Sequence, residues 1–522
     1  MSKRKKSFLT IVMLLVALTM VMAGCSSNSS TKEKPSTKPD SEASGEPKQG
    51  GELTVAYAVD ITNFDPIKGT TGNDHALLWP VYEPLVKFTP DMKPEPGLAE
   101  SWEYPDDKTL VLHLKKDVKF HDGTPFNGEA VKFNIDRVNS KDSQISDLKS
   151  IESVEVVDDS TVKLHLSKPD SSILLALSDR GGMMVSPTAV EQYGADYSQH
   201  PVGAGPFKVK SHVPNGEIVY EANKDYWDKG KPYLDKITVK VIPDANSQIN
   251  ALKSGQVDFV PGVAVQNAAS LEKNADIVLN SENTLGHFML YLKASVEPFD
   301  NKAVRLAVLY GIDREELIKA INFGQGEVAD QPFPKGYWAH DDSISLKYDP
   351  EKSKQLLKDA GLKDVSFTLV TYPIEYWSRL ANAIKGQLEK VGITVNIETL
   401  EANAAVQKFM TDNNTDALTG SWSGRPDPQM TINSLYSKDS FYNPGKISTP
   451  ELEGLISEAA STYEQEKRAE LYGKISNEAI IQQGIAIPLF TTPATHAMNK
   501  KVKGFEPNLL GKPIFSTLWV EK

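Results

Sequence analysis

The sequence predicts a mixed α/β fold for most of the chain. Segments in which apolar and polar residues alternate are typical of half-buried strands, and they are interleaved with segments whose apolar residues recur every three or four positions, as in amphipathic helices. No long internal repeat is present. Strand–helix alternation without a repeat favours α/β lobes over a solenoid or a barrel array.

The predicted strands are short and follow the period of two. Apolar residues alternate at 53–57 and 110–114, and a shorter segment of the same type covers 118–120. A hairpin is predicted over 154–166, with its turn at Asp158-Asp159-Ser160. These segments are expected to supply the sheets.

Three predicted helices are marked by their ends. Asn127 is the expected cap of the first; Asp349-Pro350 opens the second, and Gly361 ends it. The third ends at Gly392 and is followed by a strand at 393–397. Their apolar stripes are Val131, Ile135 and Val138; Leu356, Leu357 and Ala360; and Leu380, Ile384 and Leu388.

The amino-terminal segment predicts export and lipid attachment. Basic residues at 3–6 precede an apolar stretch at 8–21, and Met-Ala-Gly-Cys at 22–25 ends it with small residues before the single cysteine of the chain. The stretch is shorter than the ~20 residues that a membrane-spanning helix needs. We expect a lipoprotein signal peptide at 1–24 and a lipid on Cys25, which would anchor the chain on the extracytoplasmic face of the cell membrane.

Composition separates a tether from the globular body. The segment 25–49 is rich in Ser, Thr, Lys, Glu and Pro and lacks large apolar residues, which predicts a flexible tether ahead of a body that begins at Gly50. Removing the four basic charges of the signal changes the formal net charge from −12 to −16. An acidic chain is unsuited to nucleic acid, so no nucleic-acid partner is expected.

Known catalytic motifs are absent from the sequence. The nine histidines are dispersed, without a His-Glu-x-x-His pair. Trp422 stands where the nucleophile elbow of a Gly-x-Ser-x-Gly motif needs serine, and Lys208 stands where a dinucleotide loop needs its third glycine. We therefore expect neither an enzyme, nor a metal site, nor a bound cofactor.

A series of short motifs is distributed along the chain. They are Tyr-Glu-Pro-Leu-Val at 82–86, Pro-Gly-Leu-Ala-Glu-Ser-Trp at 96–102, Val-Lys-Phe-His-Asp-Gly-Thr-Pro-Phe at 118–126, Pro-Val-Gly-Ala-Gly-Pro-Phe at 201–207, Asn-Lys-Asp-Tyr-Trp at 223–227, Leu-Lys-Ser-Gly-Gln-Val-Asp at 252–258 and Val-Arg-Leu-Ala at 304–307. Together they resemble the extracellular solute-binding proteins of family 5, the peptide, opine and nickel type, from Gly51 to Trp519. Turns, helix ends and core packing account for these motifs physically, so none is assigned to a ligand.

The resemblance implies a two-lobed periplasmic-binding-protein type II fold, a Venus flytrap, with an extra third domain. The expected boundaries are 50–82, 205–298 and 487–522 for lobe I, 83–204 for the extra domain packed on it, and 299–486 for lobe II, with crossings near Pro298 and Pro488. It also implies a monomer that encloses a small molecule or peptide between its lobes and delivers it to the permease of an ABC importer.

One loop carries the strongest prediction of a ligand site. It follows a predicted strand at 417–419 and reads Ser-Trp-Ser-Gly-Arg-Pro-Asp-Pro at 421–428. Peptide binders of the family have a Gly-Trp-x-x-Asp loop here, whose aspartate pairs with the α-amino group of the ligand. Arg425 stands at that place in this chain, and the resemblance implies Trp422, Arg425 and Asp427 as ligand-binding residues. An exposed Arg425–Asp427 pair is the structural alternative.

Weaker candidates lie in other segments, and core packing is the alternative for each. Asn63 and Phe64 follow the first strand, where lobe I of the family often faces ligand. Tyr376 lies before a helix, and Arg379 is a candidate partner for a ligand carboxylate. The remaining aromatic candidates are Phe288, Tyr291, Tyr372 and Trp377.

Three functions stay open at this point. The leading interpretation is a solute-binding lipoprotein for a peptide or a peptide-like, opine-like or glutathione-like molecule. The second keeps the importer and changes the cargo to a nickel or other metal chelate, or to an oligosaccharide, although no histidine cluster supports a metal. The third is a sensor or adhesion lipoprotein that keeps the fold without transport.

Overall fold

The structure, a computed structural model, describes residues 46–69, 74–412 and 414–521. The predicted signal peptide, Cys25 and most of the predicted tether lie outside the described residues.

The strands, numbered in chain order, are β1 (Glu52–Tyr57), β2 (Val86–Phe88), β3 (Pro94–Pro96), β4 (Ala99–Asp106), β5 (Thr109–Leu114), β6 (Ile151–Asp158), β7 (Thr161–Leu166), β8 (Phe207–Val213), β9 (Glu217–Ala222), β10 (Lys236–Val241), β11 (Phe259–Val260), β12 (Ile277–Glu282), β13 (His287–Leu292), β14 (Val365–Thr371), β15 (Ile393–Thr399), β16 (Ala417–Trp422), β17 (Ile487–Thr491), β18 (Ala494–Asn499), β19 (Val502–Lys503) and β20 (Trp519–Val520).

The α-helices are α1 (Asp74–Leu78), α2 (Gly128–Val138), α3 (Ile173–Ala176), α4 (Pro187–Tyr193), α5 (Ala245–Lys253), α6 (Val265–Ala268), α7 (Lys302–Gly311), α8 (Arg314–Asn322), α9 (Pro350–Asp359), α10 (Glu375–Glu389), α11 (Ala402–Val406), α12 (Pro428–Tyr436), α13 (Pro450–Ser461) and α14 (Gln465–Ser476).

The predicted caps and stops are confirmed. The side chain of Asn127 accepts a hydrogen bond from the backbone N–H of Ala130 at the start of α2, and Asp349 does the same for Lys352 at the start of α9. Gly361 ends α9 with φ +68°, a conformation that favours glycine. Short-range sterics and capping bonds therefore set these boundaries.

The predicted strand at 118–120 is wrong. Its residues lie ahead of a tight turn in which Gly123 has φ +86° and the backbone N–H of Phe120 donates to the carbonyl of Thr124. Because the chain turns back at once, only an isolated bridge between Lys119 and Pro125 forms. Val118 and Phe120 are buried as core residues without a ladder.

We propose to divide the body into three parts, each named by its sheet. Lobe I contains the seven-stranded sheet in the order β12-β18-β11-β1-β10-β9-β8, with β1 parallel to β10 and β11. The extra domain contains the antiparallel sheet β4-β5-β7-β6, on which α2 packs. Lobe II contains the five-stranded sheet β15-β14-β16-β13-β17. Separate hydrophobic clusters support the three sheets.

Under this proposed division, the crossings between lobes fall at other positions than those predicted near Pro298 and Pro488. β13 pairs with β16 and β17 in lobe II, so the chain leaves lobe I between residues 282 and 287. It returns between residues 491 and 494, because β17 still belongs to lobe II. Pro488 lies inside β17, an edge strand, where a missing backbone N–H is tolerated.

Lobe II also contacts the extra domain directly. The backbone N–H of Ser171 donates to the carbonyl of Ala460 at 2.8 Å, and the hydroxyl of Tyr463 donates to the carbonyl of Asp107 at 3.0 Å. Met430, on α12, packs in the hydrophobic cluster of the extra domain. These contacts bring the segment after β16 against the extra domain.

Candidate functional site

Two of the predicted site segments lie at the same edge of the lobe II sheet. β14 and β16 are parallel, and their carboxyl ends are Thr371 and Trp422. The loop that leads to Tyr376 follows the first strand, and the loop that carries Arg425 follows the second. Loops at the carboxyl ends of parallel strands are the usual position of ligand sites in α/β sheets.

Trp422 is a buried support of this loop. Its indole Nε1 donates to the hydroxyl of Thr431 at 3.2 Å, and its ring meets that of Tyr442 edge-on at 5.3 Å. The guanidinium of Arg425 lies 5.6 Å from the centre of the Trp422 ring, within cation–π range. The ring of Trp422 therefore packs against the guanidinium of Arg425 and holds its orientation.

Asp427 is occupied by partners within lobe II. Its carboxylate accepts from the backbone N–H of Gln429 and caps α12, and it pairs with the guanidinium of Arg468, which in turn donates to the hydroxyl of Tyr472. Asp427 is only 2% exposed. Burial raises its pKa, and the Arg468 guanidinium opposes that shift. Asp427 therefore forms neither an exposed pair with Arg425 nor a contact that is open to a ligand.

Arg425 instead faces the extra domain. Its Nη1 lies 3.6 Å from Oδ2 of Asp179, a buried residue of that domain. The other carboxylate oxygen of Asp179 lies 3.1 Å from Nδ1 of His75 on α1, and Nζ of Lys512 lies 3.2 Å from the same ring nitrogen. Arg425, Asp179, His75 and Lys512, together called the junction cluster, thus bring lobe II, the extra domain and lobe I together.

Burial and charge set the protonation states of the junction cluster. Burial lowers the pKa of His75 well below its usual value, although the Asp179 carboxylate opposes that shift. Burial also raises the pKa of Asp179, but His75, Arg425, Lys512 and Arg180 outweigh it and hold that pKa well below its usual range. Burial lowers the pKa of Lys512 to about 8. A single carboxylate therefore meets several cationic groups.

A cavity of about 650 Å³ borders the junction cluster, between the extra domain and lobe II. We call it the chamber. Arg425 lines it from lobe II, beside Phe441 and Tyr442, and Asp147 and Asp170 line it from the extra domain. Its volume lies in the range of small-molecule sites.

The aromatic candidates near Tyr376 form a second group. The ring of Phe288 lies 5.1 Å from that of Tyr376, 5.3 Å from Trp377 and 4.9 Å from Phe490. Among the described residues, nothing bonds to the buried Tyr376 hydroxyl or to Nε of Arg379. Tyr291 is separate from this group, because its buried ring contacts Phe409 and Tyr442.

Asn63 and Phe64 lie apart from Arg425. The side chain of Asn63 accepts a hydrogen bond from the backbone N–H of Asp65 in a tight turn. The buried ring of Phe64 meets the ring of His212 edge-on, with 5.3 Å between the ring centres. Both line a different cavity, of about 780 Å³, together with Tyr193 and residues of β8. The structure does not bring them together with the junction cluster.

Sequence reasoning missed Asp147, Asp179, His75 and Lys512. None belongs to a recognisable motif, and His75 and Lys512 are 437 positions apart. No local signal in the sequence predicts such a meeting.

Within residues 46–69, 74–412 and 414–521, no helix is long and apolar enough to cross a membrane. The same part brings together no group of three or more His, Cys, Asp or Glu side chains suited to a metal ion.

Comparison with known proteins adds independent information. A family model described as "Bacterial extracellular solute-binding proteins, family 5 Middle" matches residues 93–443. The chain is similar to the glutathione-binding protein GsiB of Pectobacterium atrosepticum, with 29% identity over 473 residues, covering 87% of this chain and 91% of that protein.

Solved structures give the same result. DppA from Helicobacter pylori, in complex with the peptide STSA, matches with a TM-score of 0.81 and 27% identity, covering 91% of this chain and 99% of that chain. AgaA from A. tumefaciens R10, in complex with agropinic acid, matches with a TM-score of 0.81 and 26% identity, covering 90% and 99%. These matches extend over nearly all of the body.

Proposed function

The chain belongs to family 5 of the bacterial extracellular solute-binding proteins, and on that premise we propose that it captures a peptide or a peptide-like or opine-like small molecule between its lobes and delivers it to the permease of an ABC importer. The relatives support this cargo class, since one is a glutathione-binding protein and the other two are bound to a short peptide and to agropinic acid. Glutathione and a short peptide consist of amino acids, and all three cargoes carry an acidic group.

The position of Arg425 is the observation that carries the proposal. Its guanidinium extends from lobe II to Asp179 of the extra domain and lines the chamber. A cargo in the chamber would touch the extra domain and lobe II at once. Such a cargo stabilises the closed arrangement relative to the open one, which is the condition for a ligand to signal its presence.

The chemistry of the site favours an anionic group on the cargo. The planar guanidinium of Arg425 offers a fork of donors that suits a carboxylate, and Trp422 holds it in place. Tyr376 and Arg379 have buried polar atoms without partners in the described part of the chain, but neither residue lines the chamber. Asp427, Asn63 and Phe64 are left out of the proposed site because of their other contacts.

A binding panel tests the function. We expect glutathione, Ser-Thr-Ser-Ala or agropinic acid to bind the body and stabilise it, by about 2.7 kcal/mol at a ligand concentration one hundred times Kd. Calorimetry and thermal unfolding measure the two effects. Small-angle scattering with the best probe should show a smaller radius of gyration, since closure brings the lobes together.

The panel also separates the alternatives. Binding of a nickel–histidine chelate or a neutral trisaccharide in preference to all three amino-acid-derived probes would replace the proposed cargo. Tight binding with an unchanged radius would contradict closure. Binding of none of these probes, together with no co-purified molecule in native mass spectrometry, would favour a sensor without transport.

We further propose that the mature protein is a monomer anchored by a lipid on Cys25. Small residues precede this cysteine, and a polar segment separates it from the body. Replacing Cys25 with serine should release the protein into the medium or leave an uncleaved precursor, because the lipid can no longer be attached. Phase partitioning in detergent and gel mobility measure both. Serine at the neighbouring Gly24 serves as a control for signal processing, and unchanged partitioning of the Cys25→Ser protein would contradict the lipid anchor.

A further inference from the structure

Part of the loop between β19 and β20 contacts the crossings between the lobes. We call its residues 508–512 the strap. The backbone N–H of Leu285, in the first crossing, donates to the carbonyl of Leu509 at 2.8 Å. The backbone N–H of Leu509 donates in turn to the carbonyl of Pro90, in the extra domain, at 3.1 Å. A single residue of the strap therefore bonds to a crossing and to the extra domain.

Gly511 packs against both crossings at once. Its φ is +64°, a left-handed conformation that favours glycine. A Cβ atom at this position would lie 2.8 Å from Cβ of Ala494, in the second crossing, and 2.9 Å from Cγ2 of Thr284, in the first. Carbon atoms in favourable contact are ~3.5–4.0 Å apart. Because close-packed groups transmit strain, a change in the separation of the two crossings has to displace the strap.

Asn508 holds the strap together as one unit. Its Nδ2 donates to the carbonyl of Lys512 at 2.7 Å, and its Oδ1 accepts from the backbone N–H of Leu510 at 3.1 Å. Leu510 packs in the hydrophobic cluster of lobe II. The Nζ atom of Lys512 lies 3.2 Å from Nδ1 of His75 in the junction cluster. Consecutive residues of the strap therefore contact lobe II, both crossings and the junction cluster.

Free volume next to Asn508 leaves the strap room to shift. Asn508 lines a cavity of about 490 Å³ together with Asn283 of the first crossing and Trp338 of lobe II. It also lines a second cavity, of about 320 Å³, together with Trp79 and Glu83. A displacement of the strap toward either cavity does not require the core to unpack.

We propose that the strap couples the hinge to the junction cluster: Gly511 responds to the separation of the two crossings, and Lys512 moves relative to His75 as a result. Gly511 and Asn508 are then positioning residues of the closing movement. Coupling free energies are reciprocal, so a group that changes the contacts of the junction cluster also shifts the hinge. The inference rests on lobe closure, which is part of the function proposed above, but its test needs no cargo.

The test compares the mature wild-type protein with three variants in the absence of cargo. Hydrogen exchange with mass spectrometry measures backbone opening in the crossings at 282–287 and 491–494. Acetylation with an activated ester, quantified by mass spectrometry, measures access to Nζ of Lys512. In Gly511→Ala we expect exchange in both crossings and acetylation of Lys512 to rise at least about tenfold, because the added methyl group forces the strap and the crossings apart.

Gly504→Ala is the matched control. Gly504 has φ +75°, and a Cβ atom there would clash with the carbonyl oxygen of Thr517. Alanine therefore adds the same kinds of strain at a site that does not contact the crossings, and exchange in the crossings and acetylation of Lys512 should stay at the wild-type level.

Asn508→Ala is the second strap variant. It removes the two side-chain bonds that connect Leu510 with Lys512 and adds no clash. We expect acetylation of Lys512 to rise in this variant as well, because the unit that holds Lys512 at His75 is loosened. Gly511→Ala decides the test where it folds, and Asn508→Ala decides it where Gly511→Ala does not fold.

Three outcomes would overturn the inference. Equal rises in Gly511→Ala and Gly504→Ala would mean a general loss of stability. Faster exchange in the crossings without faster acetylation of Lys512 would mean that the hinge is not coupled to the junction cluster. Wild-type acetylation of Lys512 in the deciding variant would have the same meaning. Because no cargo enters these measurements, a failure of the binding panel would overturn the proposed cargo and leave the coupling standing.

Discussion

Replacing Arg425 with alanine is expected to weaken cargo binding by about 2–5 kcal/mol, which is about 30-fold to several-thousand-fold in Kd. The guanidinium lies between Trp422 and Asp179 at the boundary of lobe II and the extra domain. Its loss removes the proposed partner of the cargo carboxylate from a site largely withdrawn from water. Titration calorimetry with the best probe of the binding panel measures the change.

Matched variants separate this effect from a general loss of charge. Lys149 is exposed and also lines the chamber. Its replacement by alanine should weaken cargo binding by at most ~1 kcal/mol. The cargo affinity of Arg425→Lys should lie between those of the wild-type protein and Arg425→Ala, since lysine keeps the charge but lacks the planar fork of donors. A loss below tenfold in Arg425→Ala, with unchanged thermal unfolding, would place Arg425 outside the site and move the carboxylate contact to Arg379.

Replacing Asp427 with alanine is expected to lower the free energy of unfolding by about 3–5 kcal/mol. The change leaves the guanidinium of Arg468 buried without its carboxylate and removes the cap of α12. Urea denaturation measures the loss. The free energy of unfolding of Asp427→Asn should exceed that of Asp427→Ala by about 1 kcal/mol. Asparagine also caps a helix, but it cannot form an ion pair with Arg468.

A double-mutant cycle identifies the cause. Asp427→Ala combined with Arg468→Ala should be far less destabilising than the sum of the single changes, since no buried charge is then left unpaired. If Asp427→Ala instead leaves stability within 1 kcal/mol of the wild-type protein and weakens cargo binding more than 30-fold, Asp427 is a ligand contact after all. The two readouts therefore distinguish a support of the loop from a member of the site.

The loop at 421–428 shows how far the sequence could be read. The strand before it was predicted from local spacing, and the structure contains it. The contact between Arg425 and Trp422 was not predicted. The role of Asp427 as a cap also had a local signal, because Asp-Pro at 427–428 repeats the Asp-Pro at 349–350 that predicted the start of α9. The partner of Asp427, Arg468, lies 41 positions away and had no such signal.

The sequence alone predicted several strands, helices, caps and turns, and through its motifs the family. These features depend on backbone sterics and on hydrogen bonds between residues a few positions apart, so a short segment contains the information. The tertiary structure decided that β13 and β17 pair within one sheet with β14, β15 and β16, and that Arg425 meets Asp179 and neighbours His75 and Lys512. These contacts depend on which sheet edges and loops pack together, and the burial that results shifts the pKa values of the side chains involved. Neither the packing nor the burial is encoded in any one segment.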